Sequence, residues 1–304
     1  MYLPNDTPKM KKEGPSPTPA VLQKEYFTIA GYNAVPMATD LYLPQGLTKA
    51  PVVVYAHGIN GFKDWGGMPL IAEKIAAAGF AFLAFNFSHN GTTPARPQSF
   101  FDLAAYAQDR YLIRQYDLEQ VRHFIQNTAH GWPLDGEKIY LLGHSRGGVD
   151  ALLYAADHTA IKGLVTWSAP SLATTPWQRW SEAEMNRWRK KGVHHLENKR
   201  TGQQLPIEYG LYEEYRVHRY DALNTEAKAR AFDRPWLIVH GEADEAVFVA
   251  EAYQWKSWQP QAAVEIIAGA DHVYQHRHPW TVSSTPPQSQ LAEDATIRFL
   301  RQLS

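Results

Sequence analysis

The stretch Gly143-His144-Ser145-Arg146-Gly147-Gly148 decides the fold, because it sets a serine between small residues where a strand should end and a helix begin. An apolar run at residues 138–142 predicts the strand, and residues 146–156 predict the helix. The pattern Gly-x-Ser-x-Gly in this context is typical of a turn so sharp that larger side chains at positions 143 and 147 would clash. Such a turn exposes a serine hydroxyl at a helix N-terminus, where the helix dipole favours developing negative charge. Ser145 is therefore the candidate nucleophile.

Strands and helices alternate on both sides of this stretch. Predicted strands lie at residues 25–30, 35–44, 52–56, 80–87, 138–142, 164–167, 236–239 and 264–268. Predicted helices lie at residues 70–78, 102–128, 146–156, 246–258 and 288–303. The first two strands should pair antiparallel around Gly31-Tyr32-Asn33. The rest predict an α/β fold: a mostly parallel central sheet with helices on both faces and ligands bound beyond the carboxyl ends of the strands.

An alcohol needs a base to act as a nucleophile at neutral pH. His272 follows the last predicted strand and precedes the last helix, so it can reach across the sheet to Ser145. The base in turn needs a carboxylate to orient it. Asp244, which follows the strand at 236–239, is the best candidate, with Glu242 and Glu245 as competitors. The chain order of serine, acid and histidine agrees with this arrangement.

A tetrahedral oxyanion needs hydrogen-bond donors that are already in place. One donor should be the backbone N–H of Arg146, directly after the candidate nucleophile. The other should come from the loop His57-Gly58-Ile59-Asn60-Gly61, with the Ile59 N–H preferred and Asn60 second. The Arg146 side chain is expected to pair with a nearby carboxylate; contact with an acidic substrate is the alternative.

Residues 169–233 interrupt the alternation and show no clear strand. Connections of that length inside a compact domain are usually functional. We interpret residues 171–230 as a helical lid insertion whose aromatic side chains, Trp177, Trp180, Trp188 and Tyr212, bind an apolar or aromatic part of the substrate. In the alternative interpretation, those aromatics only pack the insertion onto the body of the domain.

Composition excludes several classes of protein. The chain has 304 residues, 44% of them hydrophobic and 20% charged, with a formal net charge of −1 and no cysteine. Disulfides, thiolate metal sites and a cysteine nucleophile are excluded, and a nucleic-acid binder would show a basic excess. We expect residues 1–24 to be a flexible arm without a signal peptide, no membrane span, and a cytoplasmic location.

Taken together, the motifs resemble the α/β-hydrolase superfamily, in its branch of dienelactone-hydrolase-like proteins, acyl esterases and serine-peptidase-like enzymes. The resemblance covers residues 25–304. It rests on four stretches in order: His57-Gly58-Ile59-Asn60-Gly61, Gly143-His144-Ser145-Arg146-Gly147, His240-Gly241-Glu242-Ala243-Asp244 and Gly269-Ala270-Asp271-His272. Members often carry Val-Pro after the acid, whereas Val247-Phe248 stands here; that departure affects a helix start and leaves the three site residues unchanged.

The resemblance implies a serine hydrolase that cleaves a small-molecule carboxylic ester through an acyl-enzyme, with no metal or organic cofactor. An aromatic acyl group of the cinnamoyl type would suit the aromatic insertion. A peptidase or amidase would use the same residues, and a non-catalytic binding protein would usually have lost one of them. A dehalogenase of this family would carry Asp in place of Ser145. A metal site at His272, His276 and His278 is not expected, because His272 has a better role.

Overall fold

The computed structural model describes residues 23–304. Of the predicted arm at 1–24, residues 1–22 lie outside the described residues, and the first strand begins at Gln23. Residues 23–304 form ten strands: β1 (Gln23–Ala30), β2 (Pro36–Leu43), β3 (Ala50–Ala56), β4 (Ala81–Phe85), β5 (Leu134–His144), β6 (Ile161–Trp167), β7 (Val193–Asn198), β8 (Gln203–Glu208), β9 (Trp236–Gly241) and β10 (Ala263–Ile267).

The same part of the chain forms nine α-helices. They are α1 (Met68–Ala77), α2 (Leu103–Ala107), α3 (Tyr111–Gln126), α4 (Arg146–Asp157), α5 (Glu182–Lys191), α6 (Gly210–His218), α7 (Thr225–Ala231), α8 (Ala250–Trp258) and α9 (Pro287–Leu303). None of these helices of residues 23–304 combines the length and apolar composition that crossing a bilayer requires.

Eight strands form the central sheet, in the order β1-β2-β4-β3-β5-β6-β9-β10. All neighbours from β4 to β10 pair in parallel, and β1 and β2 add an antiparallel edge. The mostly parallel sheet and the opening antiparallel pair are thus confirmed. Because the parallel strands end at one edge, the loops that follow β3, β5, β9 and β10 meet there.

Helices cover both faces of this sheet. On β3, Val52 and Val54 pack into one apolar core with α3, α4 and α8, whereas Val53 and Tyr55 pack into the other with α1 and α9. Successive side chains of a strand point to opposite faces, so a strand covered on both sides is apolar throughout. That is why the run at 52–56 shows no alternation.

The predicted continuous helix at 102–128 was wrong. The chain forms α2 and α3 instead, and residues 108–110 separate them. The separation turns Asp109 inward, where its carboxylate accepts hydrogen bonds of 2.8 and 2.7 Å from Arg114. A buried carboxylate must be paired with a charge or hydrogen-bond donors. This ion pair accounts for the break, and apolar periodicity gave no sign of it.

We predicted a helical insertion, but the insertion is not purely helical. Between β6 and β9 the chain also forms a hairpin, in which β7 and β8 pair antiparallel. In β8, Leu205 and Ile207 are buried and alternate with exposed or half-buried neighbours. Gly202, just before β8, takes a positive φ of 71°. A short strand with two buried side chains is too weak a pattern to distinguish from a loop. The predicted bounds of the insertion, 171–230, and its role as a lid stay predictions.

The turn from β5 into α4 has no room for side chains at two glycines. A Cβ at Gly143 would lie 2.3 Å from the Gly147 carbonyl oxygen, and a Cβ at Gly147 would lie 2.1 Å from the Ala56 carbonyl oxygen. The structure therefore agrees with the sequence-based expectation that side chains at positions 143 and 147 would clash. Close backbone contact holds the start of α4 against the end of β3.

Gly147→Ala should lower the free energy of unfolding by about 3 kcal/mol or more, because the added methyl group must displace the β3 backbone. The control is Gly46→Ala, where no atom lies within 4 Å of the new methyl group and only the positive φ of 76° opposes the substitution. The control should cost only about 1 kcal/mol of backbone strain. Urea denaturation measures both, and equal losses would contradict the contact with Ala56.

Candidate active site

Ser145 sits at the turn between β5 and α4 in a backbone conformation that non-glycine residues rarely adopt, with φ 55° and ψ −129°. Such conformations cost about 1–3 kcal/mol and persist where the surroundings enforce them. The Ser145 N–H donates to the Trp167 carbonyl at 2.8 Å, which ties the turn to the end of β6. The hydroxyl is thereby fixed at the carboxyl edge of the sheet, beside a cavity.

His272 brings the other two predicted residues together. Its Nε2 lies 3.0 Å from Ser145 Oγ, and its Nδ1 lies 2.8 Å from Asp244 Oδ2. In the tautomer that satisfies both contacts, Nδ1–H donates to the carboxylate and Nε2 accepts from the hydroxyl. The three side chains form one hydrogen-bonded chain, in the arrangement that deprotonates a serine.

Asp244 is the carboxylate that meets His272, whereas Glu242 and Glu245 are exposed. Its second oxygen, Oδ1, accepts from the backbone N–H of Ala246 and Val247 at 2.9 and 2.8 Å. Burial alone would raise its pKa, but hydrogen bonding to His240 and His272 and the Val247 N–H outweigh burial and hold the pKa well below its usual range. Asp244 is therefore a fixed negative charge at neutral pH.

His144, which our sequence analysis did not single out, supports the loop that carries His272. Its Nε2 lies 2.8 Å from the His272 carbonyl oxygen, so the ring donates to that oxygen. Burial, with a smaller contribution from the nearby His272, lowers the pKa of His144 to about 3. In the sequence, the only sign of this role is that His144 occupies the variable position before Ser145 in Gly-x-Ser-x-Gly.

The loop at 57–61 lies directly against the candidate nucleophile. A Cβ at Gly58 would lie 2.9 Å from Ser145 Cβ. Neither the Ile59 N–H nor the Arg146 N–H donates to another residue of 23–304. Tyr106 donates a side-chain hydrogen bond to Asn60, which fixes the far end of the loop. Both predicted amides thus remain available to donate hydrogen bonds to a negatively charged oxygen.

A buried network of charges links this loop to α4. The Arg114 guanidinium is 1% exposed and, besides Asp109, binds Asp150 on α4 at 3.0 Å and the His57 carbonyl oxygen at 3.1 Å. Arg146 joins the network through Asp109 at 3.2 Å, so its side chain pairs with a carboxylate as expected. Arg114 therefore connects the helix after Ser145 to the loop that faces Ser145.

Arg114→Met should cost about 3–5 kcal/mol of unfolding free energy, because it leaves the buried Asp150 without its cation and Asp109 with Arg146 alone. Arg122→Met is the matched control on the same helix. Its partner Glu119 is 28% exposed, and partly exposed pairs of this kind contribute about 1 kcal/mol or less. Denaturation at pH 7 compares the two, and a similar cost for both would show that Arg114 does not neutralise the network.

His57 is held neutral beneath the same loop. Its Nδ1 lies 2.9 Å from the Gly58 carbonyl oxygen, and its Nε2 accepts the Phe87 N–H at 3.3 Å. Burial lowers the pKa of His57 to about 3, and the charge of Arg114 acts in the same direction. Protonation would place a hydrogen on Nε2, where it would face the Phe87 N–H, which is also a donor.

Because the unfolded chain binds a proton at His57 near pH 6.5 and the folded chain does not, this residue destabilises the protein as the pH falls from 6.5 towards 3. The loss is about 1.4 kcal/mol per pH unit. His57→Gln removes this titrating group. The fall in unfolding free energy between pH 6.5 and pH 5 should therefore be smaller in the variant than in the wild type. Parallel pH profiles would mean that His57 is protonated in the fold.

The cavity beside Ser145 has a volume of about 470 Å³. Its inner wall is formed by the 57–61 loop, Tyr55, Trp65, His144 and His272. Its outer wall comes from the insertion: Thr175, Pro176, Gln178 and the 196–200 segment at the hairpin turn. The hairpin turn therefore lies over the candidate nucleophile.

The four aromatic residues predicted to bind substrate are not among the residues that line this cavity, and their contact with substrate stays a prediction. Trp177, Trp180, Trp188 and Tyr212 pack on one another, with Trp177 5.9 Å from Trp188 and 5.8 Å from Tyr212 between ring centres. Trp188 is fully buried and donates to the Ile207 carbonyl at 2.8 Å. They form the apolar core of the insertion, which was the alternative interpretation.

His276 and His278 bond to the backbone N–H groups of Gly67 and Gly66 rather than to a shared centre with His272. Across residues 23–304, no three histidine, aspartate or glutamate side chains lie in a group that could hold a metal ion.

Comparisons with known proteins agree on the fold. The model of the family described as alpha/beta hydrolase fold matches residues 51–215. The structure is similar to Est1E from Butyrivibrio proteoclasticus with bound ferulic acid, at a TM-score of 0.68 and 19% identity over 92% of this chain and 98% of that chain. It is also similar to dienelactone hydrolase from Anabaena variabilis, at a TM-score of 0.61 and 14% identity over 93% and 98% of the two chains.

One curated relative is the quorum-quenching protein AidA from Acinetobacter baumannii, which is 24% identical over 136 residues. That match spans 44% of this chain and 40% of AidA. At these identities the solved structures show the fold alone. The family match, in contrast, covers more than half of the chain and includes β3, the 57–61 loop and Ser145, and the protein therefore belongs to the α/β-hydrolase fold family.

Proposed function

We propose that the protein is a serine hydrolase that cleaves carboxylic esters, with Ser145 as nucleophile, His272 as general base and Asp244 as its orienting carboxylate. The observation that carries the proposal is the hydrogen-bonded chain from Asp244 through His272 to Ser145, at 2.8 and 3.0 Å. The names of the two similar structures, a ferulic-acid-bound Est1E and a dienelactone hydrolase, support an ester over an amide.

The first half of the reaction makes an acyl-enzyme. Ser145 Oγ bonds to the substrate carbonyl carbon while its proton passes to His272 Nε2. The carbonyl oxygen becomes an oxyanion, which the Ile59 and Arg146 N–H groups bind at the N-terminus of α4. As the tetrahedral intermediate collapses, His272 returns the proton to the leaving alcohol, and Asp244 stabilises the imidazolium throughout.

The second half regenerates the enzyme. A water molecule in the alcohol's place gives a proton to His272 Nε2 and adds to the acyl carbon, and the same two amides bind the new oxyanion. Collapse breaks the bond to Ser145 Oγ, which takes the proton back and releases the carboxylic acid. Every step uses groups of the chain, the substrate and water.

The chain contains a second serine beside a histidine and an acid, which makes a useful contrast. Ser289 Oγ lies 2.8 Å from His276 Nε2 and donates to Glu293 at 2.8 Å. His276 Nδ1 accepts from the Gly67 N–H, so Nε2 carries the proton and cannot take one from Ser289. Ser289 is also fully buried, and we assign it a structural role.

Ser145→Ala should lower kcat for ester hydrolysis by about 10⁴-fold or more, because the nucleophile is lost. Ser289→Ala is the matched control and should retain activity. The substrates are p-nitrophenyl esters of short and long acids, a cinnamoyl ester and an aminoacyl anilide, and a fluorophosphonate probe reports on the reactivity of Ser145.

Cleavage of the anilide without the esters would replace the esterase proposal with a peptidase or amidase. Ester cleavage that survives in Ser145→Ala, or a wild-type protein that neither turns over an ester nor reacts with the probe, would overturn the proposed nucleophile.

A further inference from the structure

His240 is a fully buried histidine near the end of β9, and the proposed reaction leaves it without a role. Its Nε2 lies 2.8 Å from the Val247 carbonyl oxygen. A carbonyl oxygen can only accept, so Nε2 carries the ring proton and donates it. This hydrogen bond joins the two ends of the segment 240–247, and Asp244 stands in the middle of that segment.

The same ring nitrogen also approaches Asp244. His240 Nε2 lies 3.4 Å from Asp244 Oδ2, which is the oxygen that contacts His272 Nδ1 at 2.8 Å. The other carboxylate oxygen, Oδ1, is occupied by backbone N–H groups of the loop. A hydrogen beside a carboxylate oxygen stabilises the charged form of that carboxylate. His240 therefore acts on the oxygen that orients the base.

The second nitrogen of His240 shows that packing does not account for this side chain. Nδ1 is buried and has no hydrogen-bond partner in residues 23–304. A buried acceptor without a donor costs free energy that an apolar side chain of similar size would avoid. The imidazole is therefore placed here for what its Nε2–H contacts, namely the Val247 carbonyl and the Asp244 carboxylate.

We propose that His240 is a positioning residue for Asp244, which closes the 240–247 segment and limits how strongly the carboxylate attracts the proton on His272. The proposal rests on the proposed function, in which His272 must give its proton up to the leaving alcohol. With the His240 N–H beside Oδ2, part of the negative charge is offset, and His272 releases the proton more readily. Without that N–H, the carboxylate attracts the imidazolium more strongly and is free to turn.

Other charged or titratable groups face this part of the site from three further elements. They are His144 of β5, Arg179 of the insertion, and Asp271 and Tyr274 of the loop after β10. All four side chains bond to backbone carbonyl or N–H groups. In residues 23–304, only His240 and His272 place a histidine, lysine or arginine nitrogen within ion-pair distance of the Asp244 carboxylate.

The test compares His240→Met with His240→Gln, because the two new side chains have similar length and only glutamine has an N–H. The measurement is kcat and KM between pH 5 and 9 for the p-nitrophenyl ester that the wild type cleaves best. His240→Met should lower kcat by about tenfold or more with little change in KM. The acid limb of its pH profile should move up by about 0.5–1 pH unit, because His272 keeps its proton to higher pH. His240→Gln should stay close to the wild type in both respects.

Ile238→Ala is the matched control. Ile238 is buried on the same face of β9, two residues before His240, and offers no N–H. The substitution should lower Tm through lost packing and leave the acid limb in place. An unmoved acid limb in His240→Met would overturn the role of His240, as would an equal shift in Ile238→Ala or in His240→Gln.

A second measurement uses the wild-type protein and does not depend on how the variants fold. In ¹⁵N NMR of histidine-labelled protein at pH 7, His240 should be the tautomer with its proton on Nε2. A proton on Nδ1 instead would overturn the proposal, because Nε2 could not donate. These outcomes leave the proposed serine hydrolase standing. Failure of every ester and of the fluorophosphonate probe would overturn both proposals.

Discussion

The contact between the Ser145 turn and the end of β3 is the constraint on which the site depends. Gly147 touches the Ala56 carbonyl and Gly58 touches Ser145, so two backbones meet with no side chain between them. This contact places Ile59 and Ser145 in the wall of one cavity. It also holds Ser145 in its strained conformation, which an isolated chain would leave. The fold therefore contributes to the site mainly by placing Ser145 and the 57–61 loop next to each other.

A buried network of charges fixes the position of the 57–61 loop relative to α4. Arg114 holds the His57 carbonyl on one side and Asp150 of α4 on the other, at 3.1 and 3.0 Å. Apolar groups of the same volume often stabilise a fold as well as a buried ion pair does. A guanidinium with three kinds of partner, however, satisfies them in only one geometry. We therefore interpret the network as a device that sets the distance between the 57–61 loop and α4.

Much of this structure follows from short-range patterns. The parallel strands are apolar runs, and Ser145, Asp244 and His272 each lie within five residues of the end of a strand, so the shared edge of the sheet brings them together. At the break before α3, Asp109 pairs with Arg114 and also with Arg146 of α4, and His144 contacts the carbonyl oxygen of the distant His272. No periodicity in the sequence encodes such a pairing. Interior polar contacts are therefore where the sequence-based prediction failed.

The insertion shows why aromatic residues near a site in sequence need not contact it in space. A two-stranded hairpin is marginal on its own and needs apolar surface to pack against. Trp177 and Trp188 supply that surface beside β8, and their burial lets the hairpin hold its turn over the cavity. The turn itself, at Lys199 and Arg200, is polar and exposed. Packing of the insertion and lining of the cavity are thus divided between different residues, and these aromatic residues pack the insertion.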